Sequence, residues 1–243
     1  MNIKKHIPYS VKQSIRNLIV QTVTSPPVRA FYCTKFRQTV DAIGSGEVKL
    51  HFGCGPRHLD GWVNVDLIPN RPQPDILIDV QLKLPLRDAC VDYIYSEDLI
   101  EHLTYDGAKN FLSECSRVLK PGGMLRVGTP DLESFMRAYL DRSQGDLDFY
   151  REHEGCQTFA EMFNCGMRAW GHTFIYDEET LSGILEQRGF QVARKDFNDT
   201  EATAFEGLDL RNPVEGAHSF FLECRKLPAT ATTKQQKSLV AAR

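Results

Sequence analysis

Two short apolar runs, Val48 to Phe52 and Trp62 to Leu67, flank a turn that carries Gly53 and Gly55, and the second run meets a carboxylate at Asp66. This order of residues reads as a strand, a tight loop and a neighbouring parallel strand. Glycine has no Cβ, so the loop can enter positive φ and bring its backbone N–H groups close to a ligand. An acidic side chain at the end of the second strand is placed to accept hydrogen bonds from ribose hydroxyls. The stretch therefore predicts a nucleoside-containing cofactor site at the carboxyl ends of parallel strands.

Absent residues narrow the cofactor. Gly53-Cys54-Gly55 continues as Pro56-Arg57-His58, without the third glycine of a dinucleotide fingerprint. Neither Gly-Lys-Ser nor Gly-Lys-Thr occurs, which excludes a phosphate-cradling loop of that kind. Seven cysteines (33, 54, 90, 115, 156, 165 and 224) form no Cys-x-x-Cys pair, which argues against a zinc or disulfide framework and for a reducing compartment. With no apolar run near the length of a membrane span and no secretory apolar region, the expected location is the cytoplasm. The first 40 residues hold seven Lys and Arg and no acid, leaving 22 basic and 32 acidic residues elsewhere. An acidic body with no basic stripe excludes a general nucleic-acid binder.

Along the chain, residues 1–46 read as a basic helical N-terminal arm. Val11, Ile15, Leu18, Ile19 and Thr22 fall at helical spacing, Pro26-Pro27 stops that helix, and a second piece runs from about Thr34 to Ile43. An arm packed over the cofactor cleft is favoured over a membrane-surface helix, because the apolar face is narrow. Further strands are expected at Asp75–Ile78 and Val91–Tyr95, then a helix from about Asp106 to Leu119 that Lys120-Pro121-Gly122-Gly123 ends, and a fifth strand over Met124–Val127. Alternating strands and helical runs argue a doubly wound α/β sheet with right-handed crossovers. Residues 131–176 read as an insertion: a helix over Leu132–Leu140, then a less regular stretch rich in His, Phe and Met. Such a stretch either covers the cleft and shapes an acceptor pocket or packs as plain core. A helix from Asp177 to Arg188 and strands at Phe190–Phe197 and Ser219–Arg225 close the domain, taken as residues 47–227. Residues 228–243 read as a polar, disordered tail.

Gly53-Cys54-Gly55, Asp66, Asp79, Leu84-Pro85-Leu86, Val91-Asp92-Tyr93-Ile94, Glu101-His102-Leu103 and Arg117 to Gly123 stand in an order and spacing that resembles class I S-adenosylmethionine-dependent methyltransferases. The resemblance covers roughly residues 48–130 and is greatest to the type 11 group, in particular to members associated with polysaccharide and glycan biosynthesis. Phe163-Asn164, Trp170-Gly171-His172 and Tyr176 to Leu181 resemble the second half of that subgroup. The resemblance implies a Rossmann-like sheet of about seven strands with the last pair antiparallel, a helical insertion over the cleft, and S-adenosylmethionine as cofactor. By the same resemblance Gly53, Cys54 and Gly55 line the methionyl moiety, and Asp66 holds the ribose diol with Leu67 in the same site. Asp79 accepts from the adenine amino group beside the Val80 backbone, and Ser96 sits under the amino acid end. His51, counted with the cofactor-binding residues, stands where many relatives carry an acid, whose task passes to water or to Glu97.

Methyl transfer to a hydroxyl needs proximity, orientation and a proton acceptor. Histidine is the side chain best poised near neutral pH, which selects His102, just past the fourth strand, and His172, in the insertion. Glu101 orients His102 or acts itself; the plainer alternative is that Glu101 braces a helix and His102 is a packed neighbour. A metal on His172 with Asp177 or Glu178 lacks a convincing carboxylate pair, so no metal is expected. Cys54 is read as a small residue fitting a tight turn rather than a nucleophile. The expected activity is O-methylation of a sugar, glycan or related small-molecule hydroxyl. The rivals are a non-catalytic binding module on the same fold and an aminopropyl transferase, for which Glu97, Asp98 and Glu101 are suggestive but the flanking pattern is not.

Overall fold

Helix α1 (Tyr9–Thr24) and helix α2 (Pro26–Ala42) lead into the sheet in a computed structural model that describes residues 9–211 and 218–228. The pair Pro26-Pro27 both stops α1 and starts α2, so the second helix begins well before Thr34. Proline is tolerated there because the first helical N–H groups have no intrahelical acceptor. Phe36 and Val40 of α2 enter the main core, and Lys35 Nζ donates to the Asp75 carbonyl at 2.6 Å. That places α2 in the layer covering the sheet rather than over the cofactor cleft.

Seven strands follow: β1 (Lys49–Phe52), β2 (Val63–Asp66), β3 (Ile76–Leu77), β4 (Val91–Glu97), β5 (Leu119–Pro130), β6 (Phe190–Lys195) and β7 (Ser219–Lys226). Their order across the sheet is β3-β2-β1-β4-β5-β7-β6. The pairs from β3 through β5 are parallel, and β7 runs antiparallel to both β5 and β6. Parallel pairing brings the carboxyl ends of β1, β2, β3 and β4 to one rim.

Helix α3 (Tyr105–Val118) forms where the apolar spacing predicts it, and Ala108, Phe111, Leu112, Cys115 and Val118 are all buried. The Thr104 hydroxyl caps it by accepting from the Gly107 N–H at 3.0 Å. Its exit differs from the expectation. Residue Leu119 is already extended and pairs with Val91, and residues 120–123 bulge before pairing resumes at Met124, with Gly122 at φ +81°. The glycine serves a strand irregularity rather than a helix cap.

The insertion is more regular than its sequence suggested. It folds as α4 (Leu132–Leu140), α5 (Gln144–Glu154) and α6 (Phe159–Arg168), around a small core of Phe135, Ala138, Leu147, Tyr150, Cys156 and Met162. Helix α7 (Glu178–Glu186) then buries Leu181, Ile184 and Leu185.

One sheet face packs under α2, α3 and α7 through Leu50, Phe52, Ile94, Leu125 and Leu222. The opposite face lies under two loop segments, 53–62 and 196–211, which meet it through Leu59, Trp62, Ala202 and Phe205. Among the described residues no helix is long and apolar enough to cross a membrane. The arm residues 1–8 and the tail beyond residue 228 lie outside the described residues.

Candidate active site

The rim begins at Gly53, where β1 ends. Its φ is +71°, and a Cβ there would lie 2.8 Å from the Leu99 Cβ, so only glycine fits. The Gly53 and Cys54 N–H groups both donate to the Val65 carbonyl, at 2.9 and 3.3 Å, fastening the turn to β2. Asp66 completes the clasp: Oδ2 accepts from the Gly55 N–H and Oδ1 from the Ile68 N–H, each at 2.8 Å. Each carboxylate oxygen keeps a further lone pair. A Cβ on Gly55 would meet nothing within 4 Å, so the turn presents open space beside that carboxylate.

Asp79, just beyond β3, accepts from the Gln81 N–H at 3.0 Å; Val80 is buried beside it, and Leu67 is half-buried next to Asp66. In β4 the Ser96 hydroxyl is buried with no hydrogen-bond partner among the described residues. Burial pushes the Cys54 thiol up to about 12, which removes it as a nucleophile. A turn that admits only glycine, a carboxylate with spare lone pairs and an unpartnered buried hydroxyl fit a ribose-bearing cofactor.

Two residues assigned to that site have other work. His51 is buried on the loop-covered face, with its Nδ1 3.1 Å from Asn64 Oδ1 and its ring 5.5 Å from that of Tyr95. Strand alternation turns it away from the face of Leu50 and Phe52. Glu97 accepts from the Tyr95 hydroxyl at 2.8 Å and from the Leu210 and Arg211 N–H groups, tying β4 to the segment after β6. Its carboxylate is engaged by the protein itself.

Beyond the rim, the segment after β4, the insertion, Arg211 and the start of β7 line an open-sided cavity of about 330 Å³. Glu101 and His102 reach it from a single turn of 3-10 helix, Ile100–His102. Glu101 is fully buried; its Oε2 accepts from the Thr129 hydroxyl at 3.0 Å, and burial pushes the carboxyl up to about 8. His102 Nε2 stands 3.9 Å from Glu101 Oε1. His172 arrives from the insertion because Thr173 and Phe174 donate their N–H groups to the Glu101 carbonyl, at 2.8 and 3.2 Å. The two imidazole centroids are 5.0 Å apart. His172 Nδ1 lies 2.9 Å from the Gly166 carbonyl, which only accepts, so Nδ1 carries the proton. Burial lowers the His172 pKa, keeping the ring neutral near pH 7.

All three residues selected as catalytic candidates thus meet in one place. The alternative partners of His172 do not join them: Asp177 caps α7 by accepting from the Thr180 N–H at 2.8 Å, and Glu178 pairs with Arg194 at 2.7 Å. Trp170 lines the same cavity; it holds φ +59° and remains 53% exposed. A non-glycine residue in that conformation is strained, and strain of this kind gathers at ligand sites. Arg211, which pairs with Asp98 at the cavity, and His153 were not selected from the sequence. No local signal could have found Arg211, since its partner is more than a hundred residues away in sequence.

Residues 66–127 match a family model described as "Methyltransferase domain". A stretch of 64 residues is 47% identical to a "Probable S-adenosylmethionine-dependent methyltransferase" of Mycolicibacterium smegmatis, covering 26% of this chain and 24% of that relative. A relative of the same description from Mycobacterium tuberculosis is 41% identical over 64 residues, 26% of this chain and 23% of its own. The chain thus matches about a quarter of the length of these curated relatives. Among solved structures, an S-adenosylmethionine-dependent methyltransferase from Mesorhizobium loti aligns at a TM-score of 0.48 with 16% identity, over 78% of this chain and 96% of that one. The match begins at Asp66 and runs through Asp79, Ser96, Glu101 and His102, so the likeness to methyltransferase domains takes in the strand-end carboxylates and two of the three residues gathered at the cavity.

Proposed function

We propose that the protein transfers a methyl group from S-adenosylmethionine to a hydroxyl of a sugar, glycan or related small molecule. The observation that carries the reading is the Asp66 clasp on the Gly53–Gly55 turn, opening beside a cavity lined with imidazole, carboxylate and an exposed indole. Bound there, the cofactor supplies the methyl group as an electrophilic sulfonium substituent. Asp66 would accept from the ribose hydroxyls, Asp79 from the adenine amino group, and the Gly53–Gly55 turn would admit the methionyl moiety. Glu101, His102 and His172 are the groups that take up or stabilise the loss of the acceptor's hydroxyl proton. Trp170 offers an apolar face against which a sugar ring can stack, while Asp98, Glu154 and Arg211 supply polar contacts at the cavity wall.

Calorimetric titration with S-adenosylmethionine and S-adenosylhomocysteine tests the cofactor half. One-to-one binding weakened at least tenfold by Asp66→Ala, about 1.4 kcal/mol, is the expected result. Failure of both ligands to bind at millimolar concentration would leave a methyltransferase fold without the activity. For the acceptor half, S-adenosylhomocysteine release is followed over a panel of free mono- and disaccharides. Turnover with a saccharide that Trp170→Ala removes, with cofactor affinity unchanged, supports the sugar reading. Turnover that survives Trp170→Ala overturns the stacking role.

A further inference from the structure

We infer that Glu101, His102 and His172 form a binding site for a divalent transition-metal ion of the zinc, cobalt or manganese kind. The site itself stands on the geometry; only the ion's use on an acceptor oxygen rests on the function proposed above.

One ligand atom from each of the three residues lies within 4.8 Å of the other two. Donors around a shared first-row ion sit about 2.0–2.2 Å from it, so they stand roughly 3 Å apart. The backbone that carries these donors is already tied together, so closing that gap falls to their side chains. The Glu101 carbonyl accepts from the N–H groups of Thr173 and Phe174, holding the segment after His172 against the 3-10 turn.

Each donor for which a hydrogen-bond partner is resolved has it on the side away from the cluster. Glu101 Oε2 takes the Thr129 hydroxyl, whereas Oε1, fully buried, has no hydrogen-bond partner among the described residues and faces His102 Nε2. A buried carboxyl oxygen left in that condition is costly unless a proton or a cation completes it, and a metal ion is a cation that the two neighbouring imidazoles can share. The proton on His172 Nδ1 is committed to the Gly166 carbonyl, which leaves the Nε2 lone pair for a ligand. An imidazole oriented by a backbone carbonyl through its far nitrogen is the usual outer-shell arrangement of a metal-binding histidine. Asp98, at the same cavity, bears on both Glu101 and His172, with its ion-paired partner Arg211 offsetting part of that charge.

The donor set selects the ion. Two imidazoles and one carboxylate suit borderline first-row cations, whereas magnesium prefers an all-oxygen shell. Three protein donors leave coordination positions open toward the cavity. With an ion bound the three side chains would act as its ligands, and an acceptor hydroxyl fits an open position. Its oxygen would bind the ion, which acidifies the O–H, and the proton would pass to solvent. The oxygen would then form its bond to the methyl carbon as the C–S bond breaks and S-adenosylhomocysteine leaves.

The test uses the purified full chain stripped with a chelator. Zn2+ and Co2+ are titrated by calorimetry, and the Co2+ form is read by its visible absorption. One-to-one binding at micromolar concentration is expected, with magnesium weaker by at least tenfold. His172→Gln, at a partly exposed position, should weaken Zn2+ and Co2+ at least tenfold and change the cobalt spectrum. His153→Gln, in the same cavity but outside the cluster, should do neither. Glu101→Gln serves as a second ligand variant, with circular dichroism confirming that it folds. Absence of binding at millimolar Zn2+ and Co2+, or equal binding by His172→Gln and the unaltered chain, would overturn the site. S-adenosylmethionine is titrated into the same metal-free sample, so loss of the metal site and loss of the methyltransferase reading give different results.

Discussion

His51 illustrates how a single side chain can carry a condition on the whole fold. Burial, acting against its charged form, lowers its pKa from the ordinary 6.5 to about 4, with the Asn64 hydrogen bond opposing that shift only in part. The unfolded chain therefore takes up a proton that the folded chain refuses between those two values. Stability from this group is fully present above about pH 6.5 and is lost as pH falls toward about 4, for a total of about 3 kcal/mol. Urea unfolding across that window should show the loss in the unaltered chain and a shallower dependence in His51→Gln. Parallel pH profiles for the two proteins would rule His51 out as the source. The position itself was legible as the residue before the glycine turn, but its role was not. The family resemblance leads one to expect an acid at this position, and only strand alternation shows that the side chain faces Asn64 and Tyr95.

At the scale of elements, the loop-covered face of the sheet is polar and yet buried. His51, Asn64, Glu97, Arg126 and Glu223 alternate with apolar neighbours along their strands, a pattern that ordinarily marks a face turned to water. Segments 53–62 and 196–211 lie over that face instead, and the polar groups are what fasten them. Arg126 is fully buried; its Nε donates to Asp209 Oδ1 at 2.9 Å, its Nη1 to the Asp199 carbonyl at 2.8 Å, and Glu223 lies 3.3 Å away. Removing the guanidinium leaves two buried carboxylates without their cation, though Asp209 keeps the Asn198 N–H and Glu223 the Thr200 hydroxyl and Glu201 N–H. Arg126→Met should cost about 3–5 kcal/mol, the scale for breaking a buried pair, and adding Asp209→Asn should recover part of it. A loss under about 1 kcal/mol in urea unfolding would mean that apolar contacts, not this ion pair, hold the segment. Residues 196–211 carry little periodicity, so nothing in their sequence announces that they seal a sheet face or bring Arg211 to the cavity. The helices were easier to read: α3 and α7 bury the positions that their 3.6-residue spacing selects, because their apolar faces meet a flat sheet. Met136 and Leu140 of α4 fit the same spacing and remain exposed, since the layer that would cover them is absent among the described residues.

Across the whole molecule, the sheet and the glycine turn between its first two strands followed from sequence because their signals are local: a Gly-x-Gly turn, strand-end acids and short apolar runs. The cavity did not, because it joins residues from four distant segments, and adjacency in space between His172 and Glu101 has no counterpart in spacing. The topology also fixes an order of events during synthesis. Strand β7 occupies an interior slot between β5 and β6, although it is made after the other six. Until it is translated, β5 presents a bare edge bearing Leu125 and Val127, and β6 has no strand to join. A nascent chain thus carries a half-built sheet with a sticky margin, the condition in which chains pair with one another. Closure of the sheet waits on its last strand, so a contact that covers that margin during synthesis should raise the yield of folded protein.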